Sequence, residues 1–218
     1  MLLAYWWRFV QCYPRRLGEL VFYWKHREVW LAGHGERVHK RGLALEAAIR
    51  VAELLGVGML VQLGEVMLSG HRYRRLSMQE AAFAKTYFTD LELKHAVVDE
   101  GSSRLARPLG VAFVLGYATK LWGTPSLPLL MHELVHVRQF RRWGWAYVAK
   151  ALAAQHLGEG YTYAKALAHP QVVRGEQREN LSLRESLGAH HSLNAEQEAA
   201  RLEDHVRVML SLPPRWVR

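Results

Sequence analysis

Two histidines and a carboxylate stand at a spacing that can do chemistry. They are His132, Glu133 and His136, inside the run Leu129-Leu130-Met131-His132-Glu133-Leu134-Val135-His136-Val137-Arg138-Gln139. On a helix, residues four apart lie one above the other on one face. The two imidazoles can therefore close on one ion, with zinc–nitrogen bonds of about 2.0–2.1 Å. Glu133 then sits beside the ion, where its carboxylate can take a proton from a metal-activated water. The chemistry would be hydrolysis with Glu133 as general base.

A catalytic zinc takes three protein ligands and keeps a fourth position open. The chain has a single cysteine, Cys12, so the donors must be histidines and carboxylates, and no intramolecular disulfide can form. About 60 residues after His136 a second helix opens with Asn194-Ala195-Glu196-Gln197-Glu198-Ala199. Glu196 and Glu198 both compete for the third position. Two residues apart, they point in different directions on a helix, so one would take the ion while the other complements the helix dipole. A donor for the tetrahedral oxyanion is also required. Tyr161 and Tyr163 are the candidates, while His190 and His191 read as loop residues ahead of the ligand helix.

With 12 histidines in 218 residues, His-Glu-x-x-His arises by chance in about one such chain in twenty. The surrounding elements must therefore position it. Thr124-Pro125-Ser126-Leu127-Pro128 supplies caps and first-turn prolines for a helix that carries Leu130, Leu134 and Val137 inward and ends near Gly144. Arg138, Arg141 and Arg142 fall on its last turns, where cations complement the dipole. Upstream, Ser77 and Glu80 predict a capping box opening a helix to about Tyr87. Leu91 to Val98 and Gly110 to Leu115 read as strands, and Val111 to Leu115 is the candidate edge beside the metal helix for pairing with an extended peptide. Downstream, Trp145 to Ala154 predicts a helix and His169 to Gly188 an exposed connector. The last helix starts at Asn194, buries Leu202, Val206, Met209 and Leu210, and stops at Pro213-Pro214.

The run His132-Glu133-Leu134-Val135-His136-Val137-Arg138-Gln139, the Gly160-Tyr161 step and the Asn194 to Ala199 pattern together resemble the zincin metallopeptidases of the gluzincin type, in particular small bacterial zinc proteases with minimal cores. The resemblance covers roughly residues 76–210. It implies an α+β fold, a mostly helical minimal zincin with a small β-sheet packed beside the metal helix. It also implies a Zn2+ cofactor, a peptide or protein substrate, and a ligand from the first Glu of Glu-x-Glu-Ala, here Glu196. Two positions depart from the family pattern. Ala200 stands where many relatives have an Asp that orients a ligand histidine, and the Asn-to-Glu spacing is one residue short, which keeps Glu198 as an alternative third ligand.

The first 70 residues are left as a basic, aromatic helical segment ahead of a catalytic domain over 71–218. Leu43 to Leu55 and Met59 to Met67 are helical in period, separated by Gly56 and Gly58, and Ser69 to Arg75 reads as a basic turn. Residues 1–30 alternate aromatics and cations. The net charge of +9 attracts anionic partners: an anionic membrane surface is one candidate contact and nucleic acid a less favoured one. The stripe Leu17, Leu20, Val21 and Trp24 points instead to aromatics packed on the catalytic domain with the cations solvated. The N-terminus lacks a basic region before its apolar run, and the charge-free stretch Leu54 to Gly64 is short of the roughly 20 residues that span a bilayer. The expected location is cytoplasmic or peripheral to a membrane. The rival function is a non-catalytic adaptor that binds membrane or nucleic acid through the N-terminal Trp/Arg segment.

Overall fold

A computed structural model describes residues 7, 10, 11, 13, 14, 16–18, 20, 21, 40–68, 73–100, 113–120, 125–157, 161 and 195–216. The architecture is α+β and mostly helical. At its centre is α5 (Leu127–Trp143), the helix of the His-Glu-x-x-His run. Ser126 is its N-cap residue, Pro128 falls in its first turn, and Gly144 ends it at φ 61°, a left-handed conformation that favours glycine. Leu130, Met131, Leu134, Val135, Val137 and Phe140 are all buried. A helix buried on nearly every side offers its polar residues no water, so each must find a partner within the protein.

The sheet covers one side of α5. Its strands are β1 (Tyr73–Arg75), β2 (Val97–Asp99), β3 (Phe113–Leu115) and β4 (Ala118–Lys120), in the order β1-β2-β4-β3. β1 and β2 are antiparallel, β2 and β4 parallel, and β3 and β4 form a hairpin with Leu115 opposite Ala118. Gly116, at φ 68°, opens its two-residue turn, where φ must be positive. β3 is the sheet edge, as expected for this stretch, although positions 110–112 lie outside the described residues. β4 was not foreseen. Val98 and Val114 pack into the core against α5, and the Tyr117 ring meets Phe140 edge-on at 5.2 Å.

Two expectations are corrected upstream of the sheet. Residues 91–93 belong to a short helix, α4 (Asp90–Leu93), and the strand begins only at Val97. Thr89 and Glu92 form a reciprocal capping box, and satisfying two orphan amides outweighs the weak Leu91/Leu93 alternation. Tyr73–Arg75, expected as a turn, is β1. Arg74 reaches Glu80 at 2.6 Å and Glu100 at 2.6 Å, clamping the strand between β2 and the first turn of α3 (Met78–Ala84). The Ser77–Glu80 capping box is present as the sequence predicts, but the helix stops at Ala84 and continues to Tyr87 only as turns.

The N-terminal region contributes α1 (Lys40–Leu54) and α2 (Val57–Leu68), joined at Gly56 with φ 77°. Several residues between 7 and 21 are also helical. These elements touch the rest of the protein at defined points. Glu53, 5% exposed, pairs with Arg16 at 2.7 Å and accepts the Trp145 amide at 3.1 Å. Met59 joins the common core, and Gly58 lies against the Trp145 ring with no room for a Cβ. Among the described residues no helix is long and apolar enough to cross a membrane.

After α5 comes α6 (Ala146–Leu157), and then α7 (Ala195–Met209) packs along α5. The expected cap Asn194 and the connector at 169–188 lie outside the described residues. α7 presents Glu196, Ala199, Ala200, Glu203 and Val206 inward, all buried. Leu202 and Val206 take the core positions expected of them. Met209 and Leu210 do not, since both are largely exposed. The helix ends at Met209, ahead of the prolines, because Ser211 turns the chain back at φ 58°. The Leu212 amide bonds the Arg207 carbonyl and the Ser211 amide bonds that of Val208, a Schellman turn.

Candidate metal centre

The i, i+4 spacing on α5 places the His132 and His136 rings 5.0 Å apart, centre to centre. α7 supplies the third group. Glu196 Oε2 lies 3.7 Å from His132 Nε2 and 3.4 Å from His136 Nε2. Donors arranged tetrahedrally at zinc bond lengths stand about 3.4 Å from one another, so both histidine–glutamate distances are close to those of a zinc site, and the three ligand atoms lie within 4.8 Å of one another. Glu196 Oε2 and Glu133 Oε2 are both buried with no hydrogen-bond partner. Buried carboxylate oxygens without partners are costly, and a cation between the imidazoles is the species that would satisfy the first. Glu133, Glu196 and Glu203 are all buried around two imidazoles, an excess of acid that a divalent ion would balance. The residues fit a zinc ion.

Glu198 points elsewhere. Arg138 donates to its Oε1 at 2.9 Å and the Gln139 side chain to its Oε2 at 3.0 Å. Both carboxylate oxygens thus serve the α5–α7 interface. Arg138 acts across that interface, beyond the dipole role expected for it, and also lies over the Phe88 ring.

The groups that orient the histidines are ones the sequence did not reveal. With Ala200 unable to do it, Glu203 Oε2 lies 3.1 Å from His132 Nδ1, close but not aligned as a full hydrogen bond. Glu203 is two helical turns beyond Glu196, on the same face. Seven-residue spacing of two acids on an otherwise apolar face was the available signal. For His136, Nδ1 meets Gln139 Oε1 at 2.8 Å, while the Gln139 amide nitrogen also bonds the Ala195 carbonyl at 2.9 Å. Such outer contacts fix which ring nitrogen faces a metal. On the other side of Glu196, its Oε1 accepts from Gln155 of α6 at 2.9 Å.

The charge states follow from these contacts. Burial opposes the charged form of His132, yet the Glu196 and Glu203 carboxylates outweigh it and hold the pKa up at about 10. His136 is raised likewise, chiefly by Glu196 against the cost of burial. Glu196 is drawn down to about 2 by the two histidines despite its burial. Glu133 goes the other way, because burial raises it more than the histidines lower it, which makes it a stronger base. Both imidazoles are thus biased toward the protonated form, and a binding dication would compete with those protons.

Of the oxyanion candidates, Tyr161 is described and Tyr163, His190 and His191 lie outside the described residues. The Tyr161 ring sits 5.9 Å from that of His132. Its oxygen accepts from Gln155 at 2.7 Å, leaving the O–H able to donate. Burial and the Glu196 and Glu133 charges raise its pKa, so it stays protonated. A second tyrosine, Tyr147 of α6, packs beside His136 and donates its hydroxyl to the Val114 carbonyl on β3. Compared with protein-family models, with curated proteins and with solved structures, the chain matches none.

Proposed function

We propose that this chain is a zinc-dependent metallopeptidase. The observation that carries the reading is the approach of Glu196 Oε2 to both Nε2 atoms of His132 and His136, beside the unpartnered Glu133 Oε2. Zinc held by these three residues would lower the pKa of a water to about 7 and polarise the scissile carbonyl. Glu133, its basicity raised by burial, accepts the proton and returns it to the leaving amine. Tyr161 donates toward the developing oxyanion. Glu203 and Gln139 keep the Nε2 atoms turned inward. A peptide would lie extended along the β3 edge, where the Val114 carbonyl is already engaged by Tyr147.

Metal analysis of the purified protein tests this. About one equivalent of zinc is expected, and Glu133→Gln should retain it while abolishing cleavage of a peptide library. If no metal binds and neither His132→Ala nor His136→Ala alters anything but stability, the proposal fails.

A second reading, attachment to an anionic membrane surface on the cytoplasmic side, is favoured by the exposed apolar side chains Trp7, Val10, Leu17 and Val21 along the N-terminal helical residues. Vesicle binding that falls with rising salt would support it. Equal binding to neutral vesicles and to oligonucleotides would count against it.

A further inference from the structure

The segment that follows α7 turns back on the helix and reaches the outer side of the metal centre. The Schellman turn at Ser211 reverses the chain. Arg207 Nε then holds the Pro213 carbonyl at 2.7 Å. The buried Asp204 carboxylate accepts both the Arg215 amide, at 2.5 Å, and the Trp216 amide, at 2.9 Å. Two backbone donors on one buried carboxylate fix the position of Trp216 closely.

Trp216 uses that position in two ways. Its indole Nε1 donates to Glu203 Oε2 at 2.9 Å, the same oxygen that stands 3.1 Å from His132 Nδ1. Its ring stacks on Tyr161 at 4.7 Å, and Tyr161 shares the Gln155 amide with Glu196. One side chain therefore braces the carboxylate that orients a candidate ligand histidine and the tyrosine that flanks the ligand glutamate. The indole N–H on Glu203 Oε2 restrains that carboxylate beside the imidazole, and the stacked ring limits the movement of Tyr161.

Resting on the zinc reading above, we propose that residues 213–216 form a strap whose Trp216 is a positioning residue for the metal centre. It acts through Glu203 on His132 and sets metal affinity without touching the ion or the substrate. Loss of an outer-sphere partner typically costs 10–100-fold in metal affinity. Glu203→Gln should fall in that range. Trp216→Phe keeps the ring stack and loses only the N–H, and it should weaken zinc binding about 3- to 10-fold, one step further from the ion. Asp204→Asn loosens the strap from its other end and should shift affinity in the same direction.

The experiment is chelator-competition titration of zinc into the full chain, for these variants and for the Trp216→Phe/Glu203→Gln double variant, with the visible spectrum of the cobalt-loaded protein as a second readout. If Trp216 acts through Glu203, the double variant binds zinc no more weakly than Glu203→Gln alone, and Trp216→Phe shifts the cobalt bands while the metal-free melting temperature barely moves. Additive losses, or wild-type affinity in both Trp216→Phe and Asp204→Asn, overturn the strap and leave the zinc reading intact. A wild-type chain that binds no zinc overturns both.

Discussion

Replacing Glu196 and Glu198 one at a time by glutamine gives opposite outcomes, because two neighbouring acids on one helix face different surroundings. Glu196 Oε2 stands 3.4 and 3.7 Å from the histidine nitrogens, whereas Glu198 is held by Arg138 and Gln139. For a chain of 218 residues, the unfolding entropy near the melting point is about 0.46 kcal/mol/K. Zinc at a thousand times its dissociation constant stabilises the native state by about 4.1 kcal/mol, which raises the melting temperature by about 9 °C. On the zinc reading Glu196→Gln would remove a ligand, and a loss of at least 100-fold in affinity would cut the stabilisation by about 2.7 kcal/mol. Its zinc-induced shift should then be no more than about 3 °C. Glu198→Gln should keep a shift near 9 °C, while its metal-free melting temperature drops by about 2 °C for roughly 1 kcal/mol of lost interface hydrogen bonding. Differential scanning fluorimetry with and without zinc reads both. A Glu198→Gln protein that loses the zinc shift while Glu196→Gln keeps it would refute the ligand assignment.

Further outcomes follow from the scaffold. Gly144→Ala, at φ 61° with the buried Glu53 carboxylate in the path of a Cβ, should destabilise by about 2–4 kcal/mol, and a melting temperature within 1 °C of wild type would contradict that. Ser211→Gly relieves a left-handed non-glycine residue and should raise stability by about 0.5–1 kcal/mol, seen as a higher urea midpoint at unchanged slope. Glu80 is held down at about 2, chiefly by its hydrogen bond to Arg74. A carboxyl whose folded pKa is depressed stabilises fully above its unfolded value near 4.3 and loses that contribution as pH falls toward 2. The pair is partly solvated, so the amount is on the order of 1 kcal/mol. Melting curves from pH 5 to 2.5 should fall less steeply for Glu80→Gln than for wild type, and parallel slopes would remove the ion pair from the account.

The parts of the fold that were readable from the chain alone are those written in local chemistry. His132 and His136 sit one turn apart on a helix closed by Gly144, and Ser77 with Glu80 forms its capping box, because neighbours in sequence decide these features. Thr89 and Glu92 carry the same kind of signal, and the apparent alternation at Leu91 and Leu93 obscured it. The Gly116-Tyr117 turn likewise announces a hairpin, and reading Gly116 only as a strand terminator hid β4. β1 has no periodicity of its own and exists because β2 and the Arg74 ion pairs hold it. Glu203, Gln155 and Trp216 gain their roles only when α6, α7 and the returning tail meet around α5. That register is set by packing across long sequence separations. The expected burial of Met209 and Leu210 failed for a related reason, since the inward face of α7 is given to Glu196 and Glu203 and to small residues that let it approach α5.

His136 and Glu196 come from helices about 60 residues apart in the chain. A cation held by both would tie the two ends of that stretch together in the folded chain. A disulfide stays closed in the unfolded chain, whereas an ion held only by the folded arrangement stabilises by mass action, about 4.1 kcal/mol at a thousand times its dissociation constant. A chain whose one cysteine is Cys12 has no internal disulfide to contribute alongside it. Against total stabilities of roughly 5–15 kcal/mol for native proteins, such a clip is a large fraction. Metal scarcity would then be felt as a larger unfolded fraction open to degradation, and cellular abundance of the protein would follow metal supply.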